Sequence, residues 1–323
     1  MPEGHSVHRI AAQFARHFVG SVCRISSPQG RFGDASLIDG HTIVRSYAVG
    51  KHLFLEFDTG DSLHVHLGIY GAWDFAGAVQ LDDTVSAAGG RMVQTAGRGT
   101  VVGEHEDSLA SIGAPRRTRL RMGEHDSVTV ALDSFPPDPV GQVRVRILTA
   151  NAVADLRGPT VCEVVGPVRV AEIRDDLGPD PLVDRQGEER FLSRVKRTGT
   201  PIGRALMNQK IVAGIGNVYR AEMLFRARLS PYLAANTLPD ETLRALWTDW
   251  VGLLKIGVKT GQMLTMDGLT PARKRAALAH REDRHWVYRR AGEPCRICGT
   301  PITLDIMEAR KLYFCRNCQG VTT

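Results

Sequence analysis

The sequence predicts a multi-domain α+β fold, with a β-rich N-terminal domain flanked by helices, a helical second domain and a small cysteine module at the end. Strand-like alternation dominates the first part of the chain, helical periodicity follows the run Leu177-Gly-Pro-Asp-Pro-Leu182, and four of the six cysteines lie near the C-terminus. A chain of 323 residues is long enough for two domains and a module. We therefore expect three domains, over residues 1–150, 151–285 and 286–323.

An amphipathic helix is predicted almost at the first residue. Ser6 is a candidate N-cap, and Gly20 a candidate C-terminal stop. The apolar positions of this segment recur at helical spacing: Val7, Ile10, Ala11, Phe14 and Phe18.

Period-two alternation and β-branched residues then predict a series of strands. The predicted strands span residues 21–27, 42–57 with a break at Gly50, 62–69, 127–132 and 143–148. The stretch from Ala76 to Arg117 is rich in small and polar residues and lacks periodicity, which indicates an exposed loop. We expect no catalytic residue in this loop.

Beyond residue 182 the pattern becomes helical. Helices are predicted over residues 188–197, 201–211, 218–226 and 240–258. Between two of them lies the turn Val212-Ala-Gly-Ile-Gly-Asn217, whose backbone N–H groups, at the positive end of a helix dipole, could hold a phosphate together with the Asn217 amide. The alternative is a tight helix connection in which Asn217 is only an N-cap.

The chain ends in two Cys-x2-Cys pairs, Cys295/Cys298 and Cys315/Cys318, separated by sixteen residues. Each pair can place two thiolates on one metal, so the spacing predicts a zinc ribbon with one structural Zn²⁺. A coincidental pair of motifs or a redox dithiol is the alternative. The other two cysteines, Cys23 and Cys162, are expected to be buried thiols, which fits a reducing cytoplasm.

The positive charge is concentrated in the C-terminal part. Residues 196–323 contain 21 Lys and Arg against 10 Asp and Glu, whereas residues 1–195 contain 20 against 25. This asymmetry favours a polyanionic partner, and nucleic acid is the leading class. The N-terminus lacks the apolar core of a signal peptide and no segment is apolar enough to cross a bilayer, so we expect neither secretion nor a membrane span.

The first residues suggest a nucleophile. Pro2 is small enough for Met1 to be removed, which would leave a secondary amine at the start of the mature chain. An α-amino group has an ordinary pKa of roughly 7.7–8.0, so part of it is neutral near pH 7. Attack of this amine on a sugar C1′ would give a cationic iminium that assists elimination of the 3′ phosphate, and Glu3 is placed to move protons.

Four separated features now agree: Pro2-Glu3-Gly4, the Gly50-Lys51 step between strands, the turn ending at Asn217 and the four-cysteine ribbon. Together they resemble the formamidopyrimidine-DNA glycosylase / endonuclease VIII family, nearly end to end and least in residues 76–117. The resemblance implies a β-sandwich domain, a helix-two-turns-helix domain and a zinc finger, with double-stranded DNA between them. It also implies a bifunctional base-excision glycosylase and lyase, acting on damaged bases or abasic sites.

The resemblance further implies residue roles. Pro2 would be the Schiff-base nucleophile, Glu3 the proton donor, and Lys51 a cation that reaches the damaged nucleotide or its phosphate. Arg310 would grip a phosphate bidentately from the tip of the ribbon hairpin. Solvated surface side chains are the alternative for both cations. The expected catalytic residues are Pro2, Glu3, Lys51 and Arg310, and the expected DNA contacts are His66, Ile69, Tyr70, Asn217 and Arg310.

Ile69 and Tyr70 resemble the wedge that fills the space left by an everted base, although residues of these types at a strand end also commonly pack inward. One departure is Ser6, which stands where many family members have a second glutamate. The Pro-Glu-Gly start and the wedge are closer to the endonuclease VIII branch, which favours oxidised pyrimidines as substrates.

The expected protein is a monomeric, cytoplasmic, nucleoid-associated enzyme. A catalytically idle protein of the same scaffold that binds damaged or abasic DNA is the second hypothesis. A zinc-ribbon nucleic-acid binder of unrelated fold is a third, but it gives no reason for the N-terminal motif.

Overall fold

The computed structural model of the chain describes residues 2–79, 111–114 and 135–321. The predicted strand at residues 127–132 and most of the predicted loop at residues 76–117 lie outside the described residues. The chain divides into two compact units, which separate after Arg174. The expected boundary at residue 150 therefore falls inside the first unit. Among the described helices, none is long and apolar enough to span a membrane.

Helix α1 (Gly4–His17) opens the first unit. The five apolar residues predicted for it are all buried, although the last of them, Phe18, is the C-cap residue. The Phe14 ring packs edge-on against Trp73, with 4.9 Å between ring centroids. Ser6 lies inside the first turn, so its predicted role as N-cap is wrong. Glu3 holds the N-cap position instead, and its carbonyl oxygen accepts a hydrogen bond from the N–H of Ser6 at 3.0 Å.

Two antiparallel sheets form the body of this unit. The strands are β1 (Arg24–Ser26), β2 (Ile43–Val49), β3 (His52–Phe57), β4 (Ser62–His66), β5 (Ala72–Gly77), β6 (Ser111–Gly113), β7 (Val143–Leu148), β8 (Ala152–Arg157) and β9 (Val161–Val165). Their orders in the two sheets are β1-β7-β8-β5-β6 and β2-β3-β4-β9. The inner faces of the sheets and α1 share one hydrophobic core, which makes the unit a β-sandwich, as expected.

Several of these strands confirm the sequence pattern, and others differ from it. The predicted break at Gly50 is a two-residue turn between β2 and β3. Strands β8 and β9 were not predicted, and each pairs with an earlier strand, β8 with β5 and β9 with β4. The two ends of the predicted loop also belong to a sheet, since β5 pairs with β6. Short helix α2 (Ala35–Ile38) and helix α3 (Pro167–Asp176) flank the sheets.

The second unit is helical, as predicted, and ends in a hairpin. Its helices are α4 (Gly187–Lys196), α5 (Ile202–Ala205), α6 (Asn217–Arg226), α7 (Asp240–Thr260) and α8 (Pro271–Ala279), and its strands are β10 (Thr303–Met307) and β11 (Arg310–Phe314). The helix predicted over residues 201–211 stops early. Beyond α5 the Asn208 side chain accepts a hydrogen bond from the N–H of Lys210 at 2.9 Å, which favours a turn over a continued helix.

One hydrophobic core joins the helices to the cysteine module. It includes Trp250 and Tyr219 from the helices, and Ile302, Tyr313 and Cys315 from the module. The Gln319 side chain also donates a hydrogen bond to the carbonyl of Leu229 at 2.8 Å. The module is therefore built into the second unit.

Candidate active site and zinc site

Pro2 and Glu3 lie at the N-terminal end of α1. Both are buried, and Glu3 has no exposed surface. The first helical turn behind them is buried as well, and the imidazole of His5 lies 3.2 Å from the hydroxyl of Ser6. The positive end of the helix dipole points at this position.

Lys51 occupies the two-residue turn between β2 and β3, in which Gly50 has a φ of +59°. Two imidazoles flank it, since His52 begins β3 and pairs across the sheet with His66. Burial first, and then the charges of His66, His64 and Lys51, lower the pKa of His52 to about 3. Burial, Lys51 and His64 lower the pKa of His66 to about 4. Both rings are therefore neutral at pH 7, and Lys51 supplies the positive charge at this end of the hairpin.

The loop that follows His66 fixes the tautomer of its neutral ring. The backbone N–H of Gly68 donates to Nδ1 of His66 at 3.1 Å, so a neutral His66 must have its proton on Nε2. This leaves an Nε2–H donor of the kind an anion accepts. The loop also needs its glycine, because Gly68 has a φ of +64° and a Cβ there would lie 1.8 Å from Oγ1 of Thr160.

The next two side chains along this loop are exposed. Ile69 is 39 % and Tyr70 is 41 % accessible to solvent. These two side chains therefore do not pack into the core, and their exposed surface is accessible to a ligand.

Asn217 begins α6, but its side chain does not cap that helix, because the N-cap residue is Gly216. The Asn217 amide donates to the carbonyl of Lys311 at 2.7 Å, and its oxygen accepts a hydrogen bond from Arg220. The turn before it is buried, and the N–H groups of Ala213 and Gly214 are bonded within the unit. The expectation that these N–H groups are exposed for a phosphate is wrong for those two.

Arg310 follows the turn between β10 and β11 and is partly buried. The two turn residues, Glu308 and Ala309, have φ values of +53° and +55°. This is the geometry of a type I′ hairpin turn, here made without glycine. Since Asn217 binds the carbonyl of Lys311, the start of α6 and the strand of Arg310 are directly connected.

The four predicted zinc ligands come together. The sulfur atoms of Cys295, Cys298, Cys315 and Cys318 all lie within 4.8 Å of one another. The Sγ–Sγ distances are 3.8 Å for Cys295–Cys318 and 3.5 Å for Cys298–Cys315. Tetrahedral Zn²⁺ with Zn–S bonds of about 2.3 Å requires sulfurs roughly 3.8 Å apart. The four thiolates thus fit one structural Zn²⁺ and leave no open coordination position.

Two groups of residues were missed by sequence reasoning. In the first unit, His52, His64 and Glu163 form a hydrogen-bonded chain beside Lys51. The alternation of His64 and His66 in β4 was the available signal that they share a sheet face.

In the second unit the missed residue is Glu222, which is fully buried on α6. Its carboxylate accepts hydrogen bonds from the backbone N–H groups of Trp286, Val287 and Tyr288, at 2.8, 2.9 and 2.8 Å, and from the hydroxyl of Thr265. It thereby fixes the segment that leads into the cysteine module. A lone glutamate in a helical pattern gave no sign of this role.

Comparison with known proteins identifies the family. Residues 1–131 match the N-terminal domain of formamidopyrimidine-DNA glycosylase, residues 177–267 its H2TH domain, and residues 292–321 the zinc finger found in FPG and IleRS. The chain is 36 % identical over 322 residues to Endonuclease 8 1 of Mycobacterium bovis, covering 99 % of this chain and 100 % of that protein. It is also 36 % identical over 143 residues to formamidopyrimidine-DNA glycosylase of Listeria innocua, which is 44 % of this chain and 51 % of that one.

Solved structures have the same fold. The MutM (Fpg) protein of Thermus thermophilus aligns over 100 % of both chains with a TM-score of 0.66 at 22 % identity. Lactococcus lactis Fpg in complex with DNA containing an abasic site aligns over 98 % of this chain and 99 % of that one, with a TM-score of 0.67 at 19 % identity. The expected β-sandwich, H2TH unit and zinc finger are thus confirmed, and the chain belongs to the formamidopyrimidine-DNA glycosylase / endonuclease VIII family of DNA repair glycosylases.

Proposed function

We propose that this protein is a bifunctional glycosylase and abasic-site lyase that removes oxidised pyrimidines from double-stranded DNA. The observation that supports it most is the placement of Pro2 and Glu3, buried side by side at the N-terminus of α1. Without Met1, the Pro2 amine attacks C1′ of the damaged nucleotide, the base leaves, and the resulting iminium withdraws electrons through β- and δ-elimination. Glu3 donates the proton to the opening sugar.

The remaining candidate residues would hold the DNA backbone and the helix distortion. Lys51 and the Nε2–H of His66 offer a cation and a donor on one sheet edge, while Arg310 offers a bidentate fork at the ribbon tip. Exposed Ile69 and Tyr70 would fill the space of the everted base. DNA as the partner is supported by the basic second unit and by neighbours of the same fold that were solved with lesion-containing DNA.

The preference for pyrimidines rests on the full-length relative named Endonuclease 8 1 and on the Pro-Glu-Gly start. Asn217 keeps a part in phosphate binding in this proposal, although its amide already binds Lys311. An amide nitrogen has two hydrogens, so one remains for a phosphate.

Borohydride trapping on abasic duplex DNA tests the proposal. The untagged protein with Met1 removed should give a covalent band, because reduction fixes the iminium. In Pro2→Ala, which replaces the secondary amine by a primary one, the band should disappear or fall sharply. Lys51→Gln is the companion variant and should weaken DNA binding while still trapping. If zinc-loaded wild-type protein binds the DNA but no band appears, the protein is instead an idle binder. The buried Ser6, which stands in place of a second glutamate, would then be the first candidate cause of the missing activity.

A further inference from the structure

A row of histidines lines the outer face of the four-stranded sheet. In the register of β3 with β4, His52 pairs with His66 and Phe54 pairs with His64, and in β9 Glu163 pairs with His64. The alternate residues, among them Leu53, Leu55 and Val65, point into the sandwich core. The histidines therefore lie together on the other face.

These side chains are joined by two short hydrogen bonds. Nδ1 of His64 lies 2.9 Å from Oε1 of Glu163, and Nε2 of His64 lies 2.8 Å from Nδ1 of His52. The planes of the His52 and His64 rings are nearly parallel, within 9°, and the ring centroids are 5.1 Å apart, as expected for two rings hydrogen-bonded edge to edge. His52 also packs against His66 at 4.9 Å, with the planes tilted by 60°.

The carboxylate of Glu163, at one end of this hydrogen-bonded chain, determines which nitrogen donates and which accepts in each bond. An ionised carboxylate only accepts hydrogen bonds, so His64 must donate Nδ1–H to Glu163 and keep a lone pair on Nε2. That lone pair can accept only from an Nδ1–H of His52. Glu163 therefore sets the Nδ1–H tautomer of both His64 and His52. His66 has the other tautomer, Nε2–H, because its Nδ1 accepts a hydrogen bond from the N–H of Gly68.

The middle residue of the hydrogen-bonded chain, His64, is buried. His64 is 3 % exposed and stacks on Phe54 at 4.9 Å, and Phe54 packs with Val165 of β9 and Val170 of α3. The charged groups that face His64 are Glu163 and Arg169. Lys51 is the charged group that faces His52, whose other titratable neighbours are the neutral imidazoles of His64 and His66. Apolar side chains at these positions could fill the same space. The polar chain differs from them because it allows one ring orientation only.

We propose that Glu163, His64 and His52 are positioning residues for the anion contacts made by Lys51 and His66. The chain fixes the His52 ring, which packs against the ring of His66 and directly follows Lys51, so the cation and the Nε2–H donor are held before DNA arrives. This inference rests on the proposed function, since it assigns Lys51 and His66 to the DNA backbone.

Three variants separate positioning from mere packing. Glu163→Gln keeps an acceptor for His64, Glu163→Val removes the acceptor but suits a strand, and His64→Phe keeps a stacked ring but loses both hydrogen bonds. His41→Ala is the matched control, because His41 is exposed in the same unit and bonds to Asp58 instead.

The first readout is the tautomer of each ring, from long-range ¹H–¹⁵N correlation spectra of ¹⁵N-histidine protein. Wild type and Glu163→Gln should show Nδ1–H for His52 and His64 and Nε2–H for His66. In Glu163→Val the Nδ1–H preference of His52 and His64 should be lost. Any other pattern in the wild type overturns the chain as described.

The second readout is single-turnover cleavage of abasic DNA. Glu163→Val and His64→Phe should raise the DNA concentration for half-maximal rate about five- to twentyfold, as loss of positioned hydrogen bonds would, and change the saturated rate by less than about threefold. Glu163→Gln and His41→Ala should stay within about twofold of wild type. Equal values in all four variants overturn the proposal. If the wild type neither traps nor cleaves, the proposed function fails, and equilibrium binding to the same DNA still tests the chain.

Discussion

Replacing Glu222 by glutamine should destabilise the second unit far more than the loss of one charge at a surface. The Oε1 atom accepts from Val287 and Tyr288, and the Oε2 atom from Trp286 and Thr265. A glutamine keeps one oxygen and turns an NH₂ group toward the N–H of Trp286, which leaves two donors facing each other in a buried place.

The magnitude follows from these contacts. A hydrogen bond to a charged group contributes about 1.5–3 kcal/mol against about 1 kcal/mol for a neutral one, and a buried unsatisfied N–H costs about 1–3 kcal/mol. Part of this loss is offset because the variant no longer buries a charge. We therefore expect Glu222→Gln to lower the free energy of unfolding by about 2–4 kcal/mol.

Tryptophan fluorescence during urea unfolding is a suitable assay, because three of the four tryptophans, Trp247, Trp250 and Trp286, lie in the second unit. The protein should be zinc-loaded throughout. Glu241→Gln, at an exposed glutamate in the first turn of α7, is the control and should change stability by about 0.5 kcal/mol or less. A zinc-loaded Glu222→Gln protein that unfolds within about 1 kcal/mol of wild type would refute the reasoning.

Three further outcomes are expected. Ala309→Gly should stabilise the hairpin by about 0.5–1 kcal/mol in urea unfolding, because glycine accepts the positive φ without strain, and a destabilised variant would contradict this. Glutamine at the three exposed cations of α8, Arg273, Lys274 and Arg275, should make the plot of log DNA association constant against log salt concentration less steep by up to about 3. The saturated cleavage rate should not change. The matched control, glutamine at the two lysines of α7, should keep the wild-type slope. Because the pKa values of His52 and His66 are lowered in the folded protein, the unfolded chain binds more protons at these residues between about pH 6.5 and pH 4. The contribution of the two histidines to the free energy of unfolding is therefore complete above about pH 6.5 and is lost as the pH falls toward 4. His52→Phe should reduce that acid loss by on the order of 2 kcal/mol in unfolding measured at pH 7 and pH 4.5, and an unchanged loss would show that other groups cause it.

Local signals predicted the parts of the fold that depend on near neighbours. Helix α1, the break at Gly50 and the four-cysteine module depend on periodicity, on one glycine turn and on the spacing of metal ligands. Strands β8 and β9 were missed because their place is fixed by pairing with β5 and β4, which lie far away in sequence. The compact first unit extends beyond the expected boundary at residue 150 for this reason, since it includes both strands.

The candidate site divides in the same way. Pro2, Glu3 and Lys51 follow from short motifs, and their chemistry can be stated from residue type alone. The histidine chain could not be found like this, since His64 and Glu163 are 99 residues apart and meet only when β4 and β9 pair in the observed register. Asn217 was placed correctly at the start of a helix, but its bond to Lys311 depends on how the hairpin packs on α6.

The shared core of the second unit makes metal content a thermodynamic variable of the whole unit. Cys295 and Cys315 are buried in the same cluster as the side chains of α6 and α7, and Gln319, Asn217 and Arg220 bond across the join. Zinc that binds only the folded form adds RT ln(1 + [Zn²⁺]/Kd) to the stability of everything that folds with it. A chelator should therefore lower the melting temperature of the helices as well as that of the ribbon. A chain cut before the ribbon would not be a smaller DNA binder, because it would expose the face of α6 that the ribbon covers.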